Sequence, residues 1–257
     1  WWIQYIEPMP DDSTQRGGAP SQRGWRRWLG RLPRPCVLCG QWDNTSLCRD
    51  CRQRFIDPTP IRCPRCALPN PTAGTCGACL ETPPPFSHCS TLADYRFPWD
   101  QLIGRFKFRQ QPELAQMLAG LLADAIAQQA GLPRPHCVLP VPLSPARLAE
   151  RGYNQAWELA RHLARRQGLP ARADCLLRLR DTPHQVGLDR RARARNLHDA
   201  MWVPPEGRRG VAGCQLALVD DVMTTGVTAT AATRALLDAG AAGVQVWVLA
   251  RTPAPAA

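Results

Sequence analysis

Lysine is almost missing from this chain. It occurs once in 257 residues, at Lys107, whereas arginine occurs 31 times. Genome composition accounts for most of that bias, and it singles out Lys107. Long apolar runs are missing as well. None is long enough to cross a bilayer, so no membrane insertion is expected. The opening stretch WWIQYIEPMPDDSTQRGGAPSQRGWRRW lacks the charged-then-apolar order of a secretory signal, and a cytoplasmic location is expected. It begins with Trp rather than Met, as a trimmed or misplaced start would. Residues 1–35 are expected to form a flexible Gly/Pro/Arg-rich extension in which Trp25 and Trp28 are candidate docking aromatics. Aromatics are scarce where charge is densest. Between Arg147 and Arg209 there are only Tyr153, Trp157 and Trp202.

What is present suits one large domain, or one domain with a small module. An apolar fraction of 44% supplies a core, and a net charge of +11 calls for anionic partners. The stretch from Arg147 to Arg209 holds 14 arginines against seven carboxylates, so 14 − 7 = +7 of the excess lies there. It reads equally as a solvated face or as a phosphate-binding surface.

Eight of the twelve cysteines form four pairs of one spacing: Cys36 and Cys39, Cys48 and Cys51, Cys63 and Cys66, Cys76 and Cys79. A two-residue gap lets a tight turn aim two thiolates at one ion, and two such knuckles complete a tetrahedral Zn²⁺ site. Disulfides would need an oxidising compartment for which no signal is present. Two consecutive zinc ribbons are therefore expected, although an interleaved pairing of the knuckles fits the spacing too. All-cysteine sites leave no open coordination position, so both zinc ions are expected to be structural. Gly40 and Gly77 are placed for positive φ or close backbone approach. Cys89, Cys137, Cys175 and Cys214 are isolated and read mostly as small core residues.

Thr82-Pro83-Pro84-Pro85 stiffens the chain after the last knuckle and marks a boundary. Beyond it, helical and strand patterns alternate. Helices are expected over 113–129, 154–167 and 226–239, with strands at 137–139, near 175–179, at 215–219 and at 244–250. That alternation predicts a parallel sheet with helices on its faces and ligands at the carboxyl ends of its strands.

The strand Leu216-Ala217-Leu218-Val219 is apolar throughout, as expected of burial on both faces. It runs into two adjacent acids, Asp220 and Asp221. Residues Thr224, Thr225, Gly226, Val227 and Thr228 then lead into a helix. The unpaired N–H groups at such a helix start form a cradle for phosphate. The threonine hydroxyls add donors, and Gly226 permits close approach. Carboxylates repel phosphate, so the two acids must face another part of the same ligand. Sugar hydroxyls fit, because a carboxylate accepts their hydrogen bonds well. A phosphate beside a diol describes a ribose phosphate. Helix capping alone needs only one acid.

The stretch from Val219 to Thr228 resembles the phosphoribosyl pyrophosphate motif of type I phosphoribosyltransferases. Pro140-Val141-Pro142-Leu143-Ser144-Pro145-Ala146-Arg147 and Arg151-Gly152-Tyr153-Asn154-Gln155-Ala156 resemble the signature of the ComF family. This is a competence-associated, phosphoribosyltransferase-like group. Gln185-Val186-Gly187-Leu188 with Arg190, Arg191, Arg195 and Asn196 fits it too. So do Tyr95-Arg96-Phe97-Pro98 with Leu102-Ile103 and Phe106-Lys107-Phe108, and the amino-terminal ribbons. A small departure falls at Met201-Trp202, where the family more often has an aromatic first.

The resemblance covers roughly residues 36–251. It implies an α/β fold: a type I phosphoribosyltransferase-like parallel sheet flanked by helices, with a small amino-terminal double zinc-ribbon module. The expected boundaries are 1–35 for the extension, 36–81 for the ribbons and 90–252 for the transferase-like domain.

It further implies ribose binding by Asp220 and Asp221, phosphate binding by Thr224 to Thr228, and a pyrophosphate loop after strand 137–141. Leu143, Ser144, Arg147 and Arg151 are the candidates in that loop. Mg²⁺ would travel with phosphoribosyl pyrophosphate. Residues 181–199 match the superfamily's closing loop, with Arg190, Arg195 and Asn196 as the groups it would bring down. No residue is assigned as catalytic. Lys107 is a candidate to reach the site, and His184 and His198 read as loop residues. No motif selects a base or an amine as acceptor.

Two functions are therefore carried forward. One is a phosphoribosyltransferase associated with DNA uptake or the use of external DNA. The other is a non-catalytic protein that binds single-stranded DNA or proteins of the uptake machinery, its ribbons and arginines supplying sequence-independent affinity.

Overall fold

The computed structural model describes residues 33–56, 60–108, 111–129, 131–179 and 201–254. The expected extension lies outside them except for its last three positions. Arg190, Arg195, Asn196, His184 and His198 lie outside them too. The chain divides into two compact units between Cys48 and Arg49.

In the first unit, β1 (Arg34–Pro35) pairs antiparallel with β2 (Trp42–Asp43). The knuckle between them closes with Gly40 N–H donating to the Cys36 carbonyl at 2.9 Å. Gly40 sits at φ 76°, the left-handed conformation in which a side chain costs energy.

The second unit opens with α1 (Arg49–Phe55) and the second ribbon. There the Ala67 N–H donates to the Cys63 carbonyl, and Ala67 takes the left-handed role at φ 59°. Gly77, expected at such a position, instead begins the short helix α2 (Gly77–Glu81), with Cys76 as its N-cap.

Next come β3 (His88–Asp94), α3 (Trp99–Phe108), α4 (Leu114–Ala127), β4 (Cys137–Pro140), α5 (Pro145–Arg151) and α6 (Gln155–Gln167). They are followed by β5 (Leu177–Arg178), β6 (Met201–Trp202), α7 (Pro205–Arg208), β7 (Gln215–Met223), α8 (Val227–Asp238) and β8 (Gly243–Arg251). Strands β3, β8, β7 and β4 form one sheet in that order, parallel at every junction.

Both sheet faces are covered. Leu216 and Leu218 of β7 cluster with Val244, Val246 and Val248 of β8 and with Ala229, Ala232 and Leu236 of α8. The alternate residues Ala217, Val219 and Trp247 are buried as well. Helices α4 and α6 pack on each other; α4 also meets β3 and β8, and α6 meets β4 and β7. This is the phosphoribosyltransferase-like arrangement expected from the sequence.

The differences are local. The strand expected near 175–179 shrinks to β5, which pairs with β6 outside the main sheet. Strand β7 does not stop at Val219. Its pairing with β8 continues through Met223 and Arg251, which carries both acids inside the sheet's carboxyl edge. Asn154 proves to be the N-cap of α6 rather than its first residue, and its Oδ1 accepts from the Ala156 N–H. Cys89, Cys137 and Cys175 are core residues as expected, whereas Cys214 is only half-buried.

Candidate functional site

The cysteines resolve into two quartets, Cys36/Cys39/Cys48/Cys51 and Cys63/Cys66/Cys76/Cys79, the sulfurs of each lying within 4.8 Å of one another. The knuckles therefore pair consecutively, and the interleaved arrangement is excluded. The sulfurs of Cys39 and Cys48 are 3.7 Å apart, as are those of Cys66 and Cys76. A tetrahedron with metal–sulfur bonds of about 2.3 Å has sulfur–sulfur edges of about 3.8 Å, so both quartets fit Zn²⁺.

Backbone dipoles prepare the ligands. The Cys48 N–H points at Cys36 Sγ at 3.4 Å, and the Cys76 N–H at Cys63 Sγ at 3.3 Å. Burial opposes ionisation of both thiols. The surrounding N–H groups outweigh it and bring Cys36 down to about 6 and Cys63 down to about 7. Burial, with neighbouring sulfurs contributing, pushes Cys66 up to about 11 and Cys79 higher still. Four thiolates gathered without a cation repel one another, and a divalent ion relieves that repulsion.

The second site is the carboxyl edge of the sheet. Asp220 and Asp221 are consecutive on a strand, so their side chains leave opposite faces. The Asp221 N–H donates to Asp220 Oδ1 at 2.8 Å. Asp221 is buried, and its Oδ1 lies 2.8 Å from Lys107 Nζ at the end of α3. Desolvation, then the charge of Asp221, push the Asp220 carboxyl up to about 7, against the opposing pull of Lys107 and Arg178. The chain's one lysine thus belongs to the acid-pair site.

The turn Thr224–Gly226 exposes both threonines. Gly226 is the N-cap of α8 at φ 79°, and no side chain caps the helix. Its first N–H groups therefore have no side-chain cap.

Strand β4 brings the next loop alongside, with Pro140 paired to Val219 and the Val141 N–H donating to the Val219 carbonyl. Leu143 and Ser144 follow at this edge. Ser144 is fully buried as the N-cap of α5 and accepts from the Arg147 N–H at 3.4 Å. Its hydroxyl thus serves the helix as well as any ligand. Arg151 lies 5.2 Å over the Phe108 ring, and Tyr153 OH donates to the Phe106 carbonyl. Asn154 Nδ2 donates to the Val141 carbonyl at 3.1 Å. The Arg-Gly-Tyr-Asn stretch therefore braces the Phe-Lys-Phe end of α3 and the end of β4. The expected closing-loop residues Arg190, Arg195 and Asn196 lie outside the described residues.

Two contributors escaped the sequence reading. Arg178 contributes positive charge near Asp220. Arg251 ends β8, and its guanidinium donates to carbonyls at the start of the turn that follows the acids. A charged residue closing an otherwise buried strand was the available signal, as it was for the two acids.

A parallel sheet whose β7 ends in an acid pair, a glycine turn and an uncapped helix defines a phosphoribosyltransferase-like domain, here preceded in the chain by two cysteine quartets. The double zinc ribbon domain family matches residues 31–80. The chain is 37% identical over 231 residues to the DNA utilization protein YhgH of Salmonella typhi, covering 88% of this chain and 96% of that protein. It is 34% identical over 212 residues to competence protein F of Haemophilus influenzae, covering 81% and 91%. The chain belongs to this ComF/YhgH family. The glutamine phosphoribosylpyrophosphate amidotransferase of B. subtilis superposes on 56% of this chain and 30% of its own, at 17% identity and a TM-score of 0.38.

Proposed function

We propose that the chain binds phosphoribosyl pyrophosphate with Mg²⁺ and serves the uptake or use of external DNA, a reading supported by relatives named DNA utilization protein and competence protein. One observation carries the ligand. An acid pair with a lysine on one member sits directly before a left-handed glycine and an uncapped helix start. Asp220 and Asp221 accept the ribose hydroxyls, and the N–H groups and hydroxyls of Thr224 to Thr228 hold the phosphate. The loop of Leu143, Ser144, Arg147 and Arg151 faces the pyrophosphate. Lys107 sets an ammonium charge beside the acids, which lowers the cost of bringing anionic phosphate near them.

The acid pair offers two carboxylates. Among the described residues the only groups of three or more metal-ligating side chains are the cysteine quartets. That suits Mg²⁺, which takes one or two carboxylates and completes its shell with phosphate oxygens and water. When bound it would neutralise the leaving pyrophosphate. Phosphoribose would then pass to an acceptor for which no residue here selects. The ribbons (36–81) and the transferase-like domain (90–252) form the working parts of a cytoplasmic protein whose partners are proteins of the uptake machinery.

Calorimetric titration of phosphoribosyl pyrophosphate with Mg²⁺ into zinc-replete protein tests this. Micromolar binding that is lost in Asp220→Ala/Asp221→Ala is expected. Absence of binding in the wild type overturns the reading.

A second reading, single-stranded DNA binding without catalysis, has its own support. The Arg54 guanidinium lies 5.5 Å over the Phe55 ring, and Phe55 meets Phe97 edge-on at 6.0 Å. Phe97 is 63% exposed beside the exposed Arg96. Cation and aromatic faces side by side suit stacked bases. DNA affinity that stays flat as salt rises would reject this reading.

A further inference from the structure

Arg251 is the last residue of β8, yet it is almost wholly buried and pairs with no carboxylate among the described residues. Its Nε donates to the Cys66 carbonyl at 2.9 Å. Its Nη1 reaches the carbonyls of Met223 and Thr252 at 2.9 Å each, and that of Thr224. One guanidinium therefore bridges a knuckle of the second cysteine quartet to the first residues of the phosphate turn. A second arginine reinforces the junction from the ribbon side. Arg62 Nη1 takes the Ala67 carbonyl at 3.0 Å and Asp94 Oδ1 at 2.7 Å, and Asp94 is Arg251's partner across β3 and β8.

The geometry has a consequence for the turn. In a trans peptide the carbonyl and the following N–H point in opposite directions. Holding the Met223 and Thr224 carbonyls toward Arg251 therefore directs the N–H groups of Thr224 and Thr225 away from it. Those N–H groups begin the run that Gly226 and the start of α8 continue. The buried cation beneath the turn adds positive potential to the same place. The turn's side chains supply no such restraint, since Thr224 and Thr225 are exposed.

We propose that Arg251 is a positioning residue for the anion site, and that the second cysteine quartet, once metallated, orders the phosphate turn through it. On this view the ribbon acts on the transferase-like site, beyond stabilising its own loops. The proposal rests on the phosphate site proposed above, and its test separates the two.

Full-length zinc-loaded protein is compared with Arg251→Gln, Arg251→Lys, Cys76→Ser and Arg251→Gln/Cys76→Ser. Amide hydrogen exchange is followed at the hydrogen-bonded amides that flank the turn, in β7 up to Met223 and from Thr230 into α8, with β4 as the internal reference. Cys76→Ser disturbs metal binding in the second quartet without touching the Cys66 carbonyl. Arg251→Gln and Cys76→Ser are each expected to raise exchange at these flanking amides by about tenfold or more, the loss that follows removal of charge-assisted hydrogen bonds. Arg251→Lys keeps the charge but not the fork and is expected to fall between. The double variant is expected to exchange no faster than Arg251→Gln alone, because the link is already cut.

Should Arg251→Gln fail to fold, Arg251→Lys and Cys76→Ser carry the test. Exchange at the flanking amides unchanged in both overturns the proposal, as does full additivity in the double variant. Phosphoribosyl pyrophosphate titrated into each protein should weaken in parallel with the loss of protection. A wild type that binds no phosphoribosyl pyrophosphate while the exchange pattern holds removes the proposed ligand and leaves the link between ribbon and turn standing.

Discussion

Lys107 Nζ lies 2.8 Å from Asp221 Oδ1, with 17% and 10% of the two side chains exposed. This pair joins the end of α3 to the end of β7. Its position decides how the acids behave, because among the described residues Lys107 is the cation paired with the buried Asp221.

Lys107→Met is therefore expected to destabilise the protein by about 3 kcal/mol, the low end for breaking a buried pair because both side chains keep some exposure. Lys107→Met/Asp221→Asn should recover much of that loss, since it removes the stranded charge as well. Urea unfolding of the single and double variants checks this. A double variant no more stable than Lys107→Met would show that a stranded Asp221 charge is not the source of the loss.

Asp220 carries a pH signature. Desolvation and the neighbouring Asp221 raise its carboxyl to about 7 from the ordinary 3.8. A carboxyl raised on folding contributes stability that is fully present below its unfolded pKa and lost as pH rises through the folded one. The window here runs from about pH 4 to about pH 7. Asp220→Asn removes the charge that is paid for above it. The variant should melt higher than the wild type at pH 8, by roughly 2–4 °C for each kcal/mol. The difference should vanish below about pH 4. Melting curves across that range measure it, and a gap that does not change with pH would contradict the shift.

Gly226 tests the cradle separately. Among the described residues a Cβ there would meet Met223 Sδ at 3.6 Å and Met223 Cγ at 4.0 Å, ordinary van der Waals contacts. The cost of Gly226→Ala is therefore conformational, about 1 kcal/mol for a side chain at φ 79°. Gly226→Asn should cost less, since asparagine tolerates that region. Both are expected to weaken phosphoribosyl pyrophosphate more than they lower the melting temperature, which calorimetry beside thermal unfolding resolves.

Much of this site was legible because its parts are local. Two acids after four apolar residues, then threonines and a glycine, state strand, edge and turn without reference to the rest of the chain. Four equal cysteine gaps do the same for the ribbons. What escaped depends on distant partners. β3 has little apolar periodicity because it buries Ser90 and Thr91. The Ser90 hydroxyl is satisfied by Gln129 Oε1, and the Thr91 hydroxyl by the Ala93 carbonyl at 3.1 Å. Arg251 looks like a charge at a strand end until the carbonyls of Cys66, Met223 and Thr224 arrive from elsewhere. Lys107 was conspicuous by rarity, but only the fold could give it Asp221.

The quartets predict two zinc ions per chain. Replacing zinc with Co²⁺ should give the visible spectrum of tetrahedral sulfur coordination. Strong chelation should remove both ions, with thiol titration rising by eight, the number of cysteines in the two quartets. Because ligands and fold are linked, stripped protein should unfold at lower denaturant. A metal content near one would show that one quartet is not a site.

Tyr153 extends the reasoning to the Arg-Gly-Tyr-Asn stretch. Its hydroxyl donates to the Phe106 carbonyl, one residue before Lys107, and its ring packs 6.1 Å from that of Phe106. Tyr153→Phe keeps the ring and removes one hydrogen bond, so a stability loss of about 1 kcal/mol is expected. If the bond serves to hold the end of α3, Lys107 loses its fixed position against Asp221. Phosphoribosyl pyrophosphate binding should then weaken several-fold, beyond what the small stability loss accounts for. Tyr153→Leu, which removes the ring as well, should cost more stability without a matching further loss of affinity. Paired melting and calorimetric measurements on the two variants distinguish a stretch that shapes the site from one that only packs the domain. Affinity intact in Tyr153→Phe but lost in Lys107→Met would assign the lysine to the ligand and the tyrosine to the fold alone.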